Sequence, residues 1–214
     1  MTQHRHPLFA RFYARTGPML ERRVGEHRRA LLSGLAGRVI EVGAGAGANF
    51  AHYPPGVTGV LAVEPEPYLR RVAEEAAGRA PVPVEVVDGV AERLPAEDGS
   101  CDAAVVSLVL CSVADPAAAL AEMRRVLRPD GQLRFFEHVA ADTPGRRRVQ
   151  RLLDATVWPL LGGGCHTARD TAAAIEQAGF TLARLRRLEP ADTGIPFPTA
   201  PQILGIATAP AERP

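Results

Sequence analysis

The chain has 214 residues, 46% of them hydrophobic, which is enough for one sizeable core, and single α/β domains often reach this length. Its 25 Lys and Arg residues nearly balance 24 Asp and Glu residues, so no overall charge favours nucleic acid or an anionic membrane. Three widely spaced cysteines indicate no disulfide framework, and no segment approaches the roughly 20 apolar residues of a membrane span. We therefore predict a cytoplasmic protein that binds a small molecule, without a nucleic-acid partner or membrane anchor; the oligomeric state stays open.

The chain begins with a predicted helical region and continues with alternating strands and helices. Apolar residues between 7 and 35 are spaced as in one or two amphipathic helices, which we assign to an N-terminal cap, residues 1–36. Helices are predicted at 67–78 and 116–127, between short β-branched runs. These runs are "RVIEVG", "GVLAVEP", "VPVEVVD", "CDAAVVSLVL" and "GQLRFFEHV". Strands that alternate with helices predict a doubly wound, parallel α/β sheet.

The last third of the chain completes the predicted sheet. A helical region at about 145–178 is followed by two strand-like runs, "FTLARLRRLE" and "QILGIATA". No helical pattern separates these runs, so they should pair antiparallel. We predict one domain, residues 37–210, with a mostly parallel seven-stranded sheet and an antiparallel last strand.

A glycine-rich loop follows the first predicted strand, in "VIEVGAGAGANF". Gly43 and Gly45 would allow a sharp turn and a closely placed ligand, and Gly47 would allow tight packing of the next helix. The same spacing satisfies the dinucleotide pattern G-x-G-x-x-G/A, so an NAD-dependent oxidoreductase is one interpretation. The G-K-[ST] ending of a P-loop is missing.

Acidic residues after the loop favour a different ligand. Glu41 is a carboxylate inside the first strand, which is costly to bury without a cation or donors, such as a ligand ammonium group or the loop amides. Glu64 ends the second strand, where a carboxylate can bind both ribose hydroxyls. Asp88 and Glu92 follow the third strand, near an adenine edge. An amino acid joined to a nucleoside without phosphate satisfies all three, and S-adenosylmethionine is such a ligand.

These motifs resemble class I S-adenosylmethionine-dependent methyltransferases, from Arg38 to Ala209. The motifs that carry the resemblance are "EVGAGAG", "VEPEP", "GVAERLPAEDGSCDAAV" and "VLRPDGQLRFFEH". It implies a Rossmann-like methyltransferase fold with S-adenosylmethionine as cofactor. The cofactor-binding residues that it implies are Tyr13, Glu41, Gly43, Ala44, Gly45, Asn49, Glu64, Pro65, Val90, Ala91, Glu92, Leu108 and Cys111. Many relatives have an Asp where this chain has Val90, and Asp88 could replace it.

A narrower resemblance links the chain to alkyl-thiol S-methyltransferases related to methyltransferase-like 7 proteins. It rests on "EVGAGAGANFAHYPPG", "LVLCSV", "LLDATVWPLL", "GGGCHTAR" and "ILGIA". It implies methylation of a small apolar thiol, for which a reduced dithiol natural product is one example. Alternatives are methylation at N, O or C of a quinone or amine, and S-adenosylmethionine binding without catalysis. Animal members carry an N-terminal membrane anchor, which we do not expect here.

His138, at the end of the fifth strand, is the predicted catalytic residue. It titrates in the useful range and could act as a base or as the partner of a thiolate, or else be hydrogen-bonded in the cleft wall. Glu137 alternates with it and is expected to be structural. The predicted substrate-binding residues are Phe9, Tyr13, Cys111, His138, Trp158 and Phe197. Cys165 and His166 follow three glycines, and because further ligands at suitable spacing are missing, no metal site is predicted.

Overall fold

A computed structural model describes residues 7–211, apart from the side chains of residues 8 and 16–23. Residues 1–6 of the predicted cap lie outside this range. The strands are β1 (Gly37–Val42), β2 (Val57–Val63), β3 (Val84–Val87), β4 (Cys101–Ser107), β5 (Leu127–His138), β6 (Thr181–Leu188) and β7 (Gln202–Thr208). The helices are α1 (Pro7–Leu32), α2 (Pro67–Ala77), α3 (Pro116–Val126), α4 (Pro144–Asp154), α5 (Trp158–Leu161), α6 (Thr171–Gln177) and α7 (Pro190–Thr193).

The strands form one seven-stranded sheet in the order β3-β2-β1-β4-β5-β7-β6. β1 pairs in parallel with β2 and β4, and β4 pairs in parallel with β5. β7 is antiparallel to both β5 and β6, which confirms the predicted topology. The strand order reverses between β1 and β4, so their carboxyl ends border a crevice in which α/β proteins bind ligands.

Alternation along the strands divides the core between the two faces of the sheet. Val106 of β4 belongs to a buried cluster with Leu120 of α3 and Ile175 of α6. Its neighbour Val105 belongs to a second cluster with Leu32 of α1. Successive strand residues point to opposite faces, and because helices cover both faces, central strands such as β4 are apolar on both sides.

The N-terminal segment forms one long helix, α1. Its carboxyl-terminal half carries Val24, Leu31 and Leu32 into the core, and its first turns place Phe9 and Tyr13 beside the crevice. The division of the chain at residue 36 and the role of α1 as a cap stay predictions. Within residues 7–211, no helix combines the length and apolarity that crossing a bilayer requires.

Candidate active site

A cavity of about 360 Å³ lies at the carboxyl ends of the parallel strands, beside the first turns of α1. One half is formed by segments that follow β1, β2 and β3: Gly43, Gly45, Glu64, Pro65, Glu66, Leu69, Gly89, Val90, Ala91 and Glu92. The other half is formed by segments that follow β4, β5 and α5: Leu108, Val109, Cys111, Ser112, Val113, His138, Gly162, Gly163 and Cys165. Phe9, Ala10 and Tyr13 of α1 line it as well. We call these the first half and the second half of the cavity.

The glycine loop is shaped by contacts on both of its sides. Gly43 has φ +70°, and a Cβ there would lie 2.5 Å from Cγ2 of Val109, so only glycine lets the loops after β1 and β4 approach. At Gly45 a Cβ would lie 3.4 Å from the ring of Tyr13. Glycine is therefore required at position 43 by a contact within the protein, whereas Gly45 and Tyr13 face each other in the cavity wall.

Glu64 is the acidic group at the carboxyl end of β2 in the first half. Its Oε2 accepts a 2.8 Å hydrogen bond from the amide of Gly45, and its Oε1 accepts a 2.9 Å bond from the amide of Glu66. Burial raises the pKa of Glu64 above its ordinary value, although both amides act in the opposite direction. Each carboxylate oxygen can accept two hydrogen bonds, so capacity remains on both oxygens. This acceptor pair suits a vicinal diol such as a ribose.

The structure corrects the expected partners of Glu41. Its Oε1 accepts from Nδ2 of Asn49 at 2.9 Å and its Oε2 from the hydroxyl of Tyr53 at 2.7 Å, rather than from loop amides. Arg28 donates to Oδ1 of Asn49 at 2.9 Å. Glu41, Asn49 and Ala44 are buried and do not line the cavity. The side chain of Glu41 points to the face of the sheet that α1 covers. Burial raises the pKa of Glu41 from 4.5 to about 7, despite these donors.

The segment after β3 contributes backbone and one carboxylate to the first half. Val90, Ala91 and Glu92 line the cavity. Glu92 also accepts from the amides of residues 114 and 115, at 3.2 and 3.3 Å. Asp88 does not replace an adenine-binding Asp, because its side chain is 72% exposed and pairs with Arg70 at 2.8 Å.

Two cysteines and a histidine meet in the second half. Nδ1 of His138 lies 3.6 Å from Sγ of Cys111 and 3.5 Å from Sγ of Cys165. The candidate ligand atoms of the three side chains all lie within 4.8 Å of one another. We call this group the Cys–His–Cys cluster. The sequence predicted Cys111 and His138 as substrate-binding residues but did not include Cys165.

Contacts within the Cys–His–Cys cluster shift the pKa values of all three side chains. A hydrogen bond from Cys111 lowers the pKa of Cys165 despite burial, and the indole of Trp158 acts in the same direction. The same bond, together with burial, raises the pKa of Cys111 well above its ordinary value. Burial opposes protonation of His138, but the sulfur of Cys111 and the charge of Glu137 raise its pKa overall. Cys165 is therefore the more acidic of the two thiols.

Glu137 fixes the segment that carries Cys111. Its fully buried carboxylate accepts from the amides of Val109, Leu110 and Cys111 at 2.8, 3.0 and 3.3 Å. The chain turns sharply just before, at Leu108, whose φ is +62°, a value that non-glycine residues rarely adopt. Leu108 also lines the cavity. Glu137 thus has a contact set of the structural kind that the sequence predicted.

The segment that carries Cys165 is held by buried hydrogen bonds. The amide of His166 donates to the carbonyl of Cys111 at 2.7 Å, which joins the two cysteine segments directly. Asp154 accepts from the amides of Thr167 and Ala168, both at 2.8 Å. The fully buried Gln150 donates to the carbonyls of residues 139, 167 and 198 and accepts from the amide of residue 141. These contacts bring an irregular loop to the end of β5.

Only part of the predicted substrate-binding set lines the cavity. Phe9, Tyr13, Cys111 and His138 do, and the rings of Phe9 and Tyr13 stack with centroids 5.9 Å apart. The prediction for Trp158 and Phe197 needs correction, because neither lines the cavity and Phe197 is 37% exposed. Leu160 and Leu161 of the short α5 are exposed, whereas the indole of Trp158 lies behind the cavity wall beside Cys165.

Several cavity residues were missed by sequence reasoning. Among them are Cys165, Gly163, Ser112, Ile195 and Thr199. A Cβ at Gly163 would lie 2.5 Å from the ring of Phe9, so this glycine lets α1 approach. The run "GGGC" was the available signal, since consecutive glycines before a polar residue often mark close packing of the backbone.

Comparison with known proteins agrees with this geometry. A methyltransferase domain family matches residues 40–135. Thiol S-methyltransferase TMT1B of Homo sapiens is 36% identical over 181 residues, which cover 82% of this chain and 73% of that protein. A methyltransferase solved in complex with the Haloferax volcanii Trm112 methyltransferase activator superposes with TM-score 0.71 at 19% identity, over 94% of this chain and 97% of that one. Geranyl diphosphate methyltransferase in complex with SAM superposes with TM-score 0.67 at 14% identity, over 86% and 83%.

The relative at 36% identity decides the family, and the solved structures agree on the fold. The NAD-dependent oxidoreductase interpretation is thereby excluded. The chain belongs to the class I S-adenosylmethionine-dependent methyltransferases, in the branch of the thiol S-methyltransferases, and is an enzyme that uses S-adenosylmethionine.

Proposed function

We propose that this enzyme methylates the sulfur of a small apolar thiol, forming a thioether and S-adenosylhomocysteine. The observation that carries the proposal is the imidazole of His138 at the end of β5, between two cysteine sulfurs in the cavity wall. The name of the human relative, a thiol S-methyltransferase, supports the same acceptor class.

The first half of the cavity would hold the cofactor. Glu64 offers acceptors for the ribose hydroxyls, and the segment from Val90 to Glu92 offers a wall for the adenine. Gly45 leaves room for the methionine portion, with the ring of Tyr13 facing it. When bound, S-adenosylmethionine supplies an electrophilic methyl group on a positively charged sulfur. An aromatic face beside such a cation is favourable by about 0.5–2 kcal/mol.

The second half would orient the acceptor thiol. The thiol of cysteine has a pKa of about 8.5, so modest help from a nearby group suffices to present a thiol of this acidity as a thiolate. His138 can provide this help by accepting the thiol proton or by donating a hydrogen bond to the thiolate. In-line displacement depends on holding the reacting atoms about 3 Å apart, which a walled cavity favours. We propose that Phe9 and Tyr13 on α1 exclude water from it.

A matched set of acceptors tests the proposal. The enzyme is incubated with S-adenosylmethionine and a thiol, an alcohol and an amine that share one carbon skeleton, and products are measured by mass spectrometry. We expect the thioether to form and the other two acceptors to remain unmethylated. His138→Ala should lower kcat, whereas His52→Ala, which removes a histidine outside the cavity lining, should leave kcat unchanged. Preferential methylation of the alcohol or amine would favour the O- or N-methyltransferase alternative instead.

A further inference from the structure

We propose that Cys111, His138 and Cys165 bind a zinc ion and that the acceptor thiol is its fourth ligand. The proposal rests on the thiol-methyltransferase function above and names how that acceptor is recognised. Two thiolates and an imidazole with one open position are the donor set of several catalytic zinc sites. The sequence did not predict this set, because its spacing does not show that Cys165 approaches the other two residues.

The geometry of the Cys–His–Cys cluster is that of ligands around a common centre. Both sulfurs lie near the same nitrogen, with Nδ1 of His138 at 3.6 Å from Cys111 and 3.5 Å from Cys165. An imidazole nitrogen forms one good hydrogen bond, as a donor or as an acceptor, so a hydrogen bond to Nδ1 accounts for the position of one sulfur only. A tetrahedral zinc with Zn–S near 2.3 Å and Zn–N near 2.0–2.1 Å places S and N about 3.6 Å apart.

The ligands are held in place by the backbone before any ion binds. Glu137 anchors the amide of Cys111, and the amide of His166 bonds the carbonyl of Cys111, which fixes both cysteine segments to the end of β5. All three ligand residues line the cavity, so an ion bound to them would face the second half, where we place the acceptor. Three fixed protein ligands with a fourth position open to substrate distinguish catalytic from structural zinc sites.

In this proposal the zinc ion acts as a template that holds the acceptor sulfur for methyl transfer. In this arrangement His138 holds the zinc instead of acting as the base, so on binding the thiol R–SH loses its proton to solvent, and a lone pair of the sulfur forms the zinc bond. Another lone pair forms the new S–CH3 bond, while the electrons of the old methyl–sulfonium bond stay on the departing sulfur. The neutral thioether is a weaker ligand than the thiolate and leaves. With Cys111, Cys165 and the substrate as thiolates, the site carries one net negative charge, which keeps the substrate sulfur nucleophilic.

Zinc binding is tested on the reduced, metal-free enzyme by competition with a chromophoric chelator. We expect about one zinc per chain. The zinc affinity of Cys111→Ser and of Cys165→Ser should be at least about 100-fold lower, because losing a ligand costs more than the 10–100-fold loss seen when a residue that hydrogen-bonds to a ligand is changed. Cys101→Ala is the matched control, because Cys101 is buried at the opposite end of β4. Circular dichroism shows whether each variant is folded.

Substitution with Co²⁺ tests the fourth ligand directly. Addition of the thiol substrate should increase the sulfur-to-cobalt charge-transfer absorption, and the isosteric alcohol should not. Absence of zinc binding by the folded wild-type enzyme, or equal thiol methylation by metal-free and zinc-loaded enzyme, would overturn the zinc proposal and leave the thiol-methyltransferase function standing. Zinc binding without methylation of any thiol would overturn the function instead, together with the role of the thiol as fourth ligand.

Discussion

The buried carboxylate of Glu41 makes the stability of this enzyme depend on pH near neutrality. Its pKa is raised from 4.5 to about 7, because burial outweighs the hydrogen bonds from Tyr53 and Asn49 and the charge of Arg28. Glu41→Gln removes the titration while keeping the contacts. The amide oxygen can still accept from Asn49, and the amide nitrogen can donate to the hydroxyl of Tyr53, which can turn to accept.

The sign and size of the effect follow from the two pKa values. The folded protein holds the Glu41 proton up to about pH 7, whereas the unfolded chain releases it near pH 4.5, so unfolding is favoured as the pH rises. The stabilisation is fully present below about pH 4.5 and is lost as the pH rises through about 7. The whole difference is roughly 3 kcal/mol, at about 1.36 kcal/mol per pKa unit. Between about pH 5.5 and about pH 8 the wild-type enzyme should lose about 2 kcal/mol from this group.

Urea unfolding of both proteins across this pH range measures the effect. The free energy of unfolding of Glu41→Gln minus that of the wild type should rise by about 2 kcal/mol from about pH 5.5 to about pH 8. Glu75→Gln is the control, because this α2 carboxylate is exposed in the folded protein, and its difference should stay constant. A constant difference for Glu41→Gln as well would show that the carboxylate is already ionised in the folded state at the lower pH, which would refute the reasoning.

Three further substitutions test the loops around the cavity. Gly43→Ala should lower the free energy of unfolding by about 2 kcal/mol or more, because the new Cβ would lie 2.5 Å from Val109 at a positive φ. Gly59→Ala is the control: no atom lies near its Cβ, so urea unfolding should give a change within about 0.5 kcal/mol. Glu137→Gln turns an amide group toward backbone N–H donors; we expect a loss of about 1–3 kcal/mol and a lower kcat, and unchanged unfolding would count against this. Gln150→Leu leaves buried backbone groups unpaired, so hydrogen exchange at residues 139–141 and 167 should accelerate; unaltered protection would contradict it.

The fold could be predicted from local patterns because the sheet is buried on both faces. Each parallel strand is a short apolar run between polar loops, and the helices between strands begin at prolines and acidic residues such as Asp115, which accepts from the amides of residues 117 and 118. Between the two final strands lies only the four-residue α7, which forms no crossover helix, so these strands pair antiparallel. These signals depend only on residues close in sequence, so they can be recognised without knowledge of three-dimensional contacts.

The partners of buried polar groups were harder to predict than their positions. Glu41 was identified as a carboxylate that needs compensation, but its partners come from the turn at Asn49 and Tyr53, not from the adjacent glycine loop. The alternation of β1 explains this, because Glu41 points to the same face as Val39, toward α1, where this turn also packs. Sequence spacing shows which groups require a partner, and only the packing shows which partner is in reach.

The Cys–His–Cys cluster illustrates where prediction from sequence ended. Cys111 and His138 follow neighbouring parallel strands, so their proximity follows from the order β4-β5. Cys165 is another 27 residues beyond His138, in an irregular loop whose position depends on buried contacts of Gln150, Asp154 and the amide of His166. None of these contacts has a periodic signature. The first half of the cavity therefore follows regular strands, whereas the second half depends on this loop. Under our proposal that the second half holds the acceptor, changes in the loop should alter acceptor choice while leaving the fold intact.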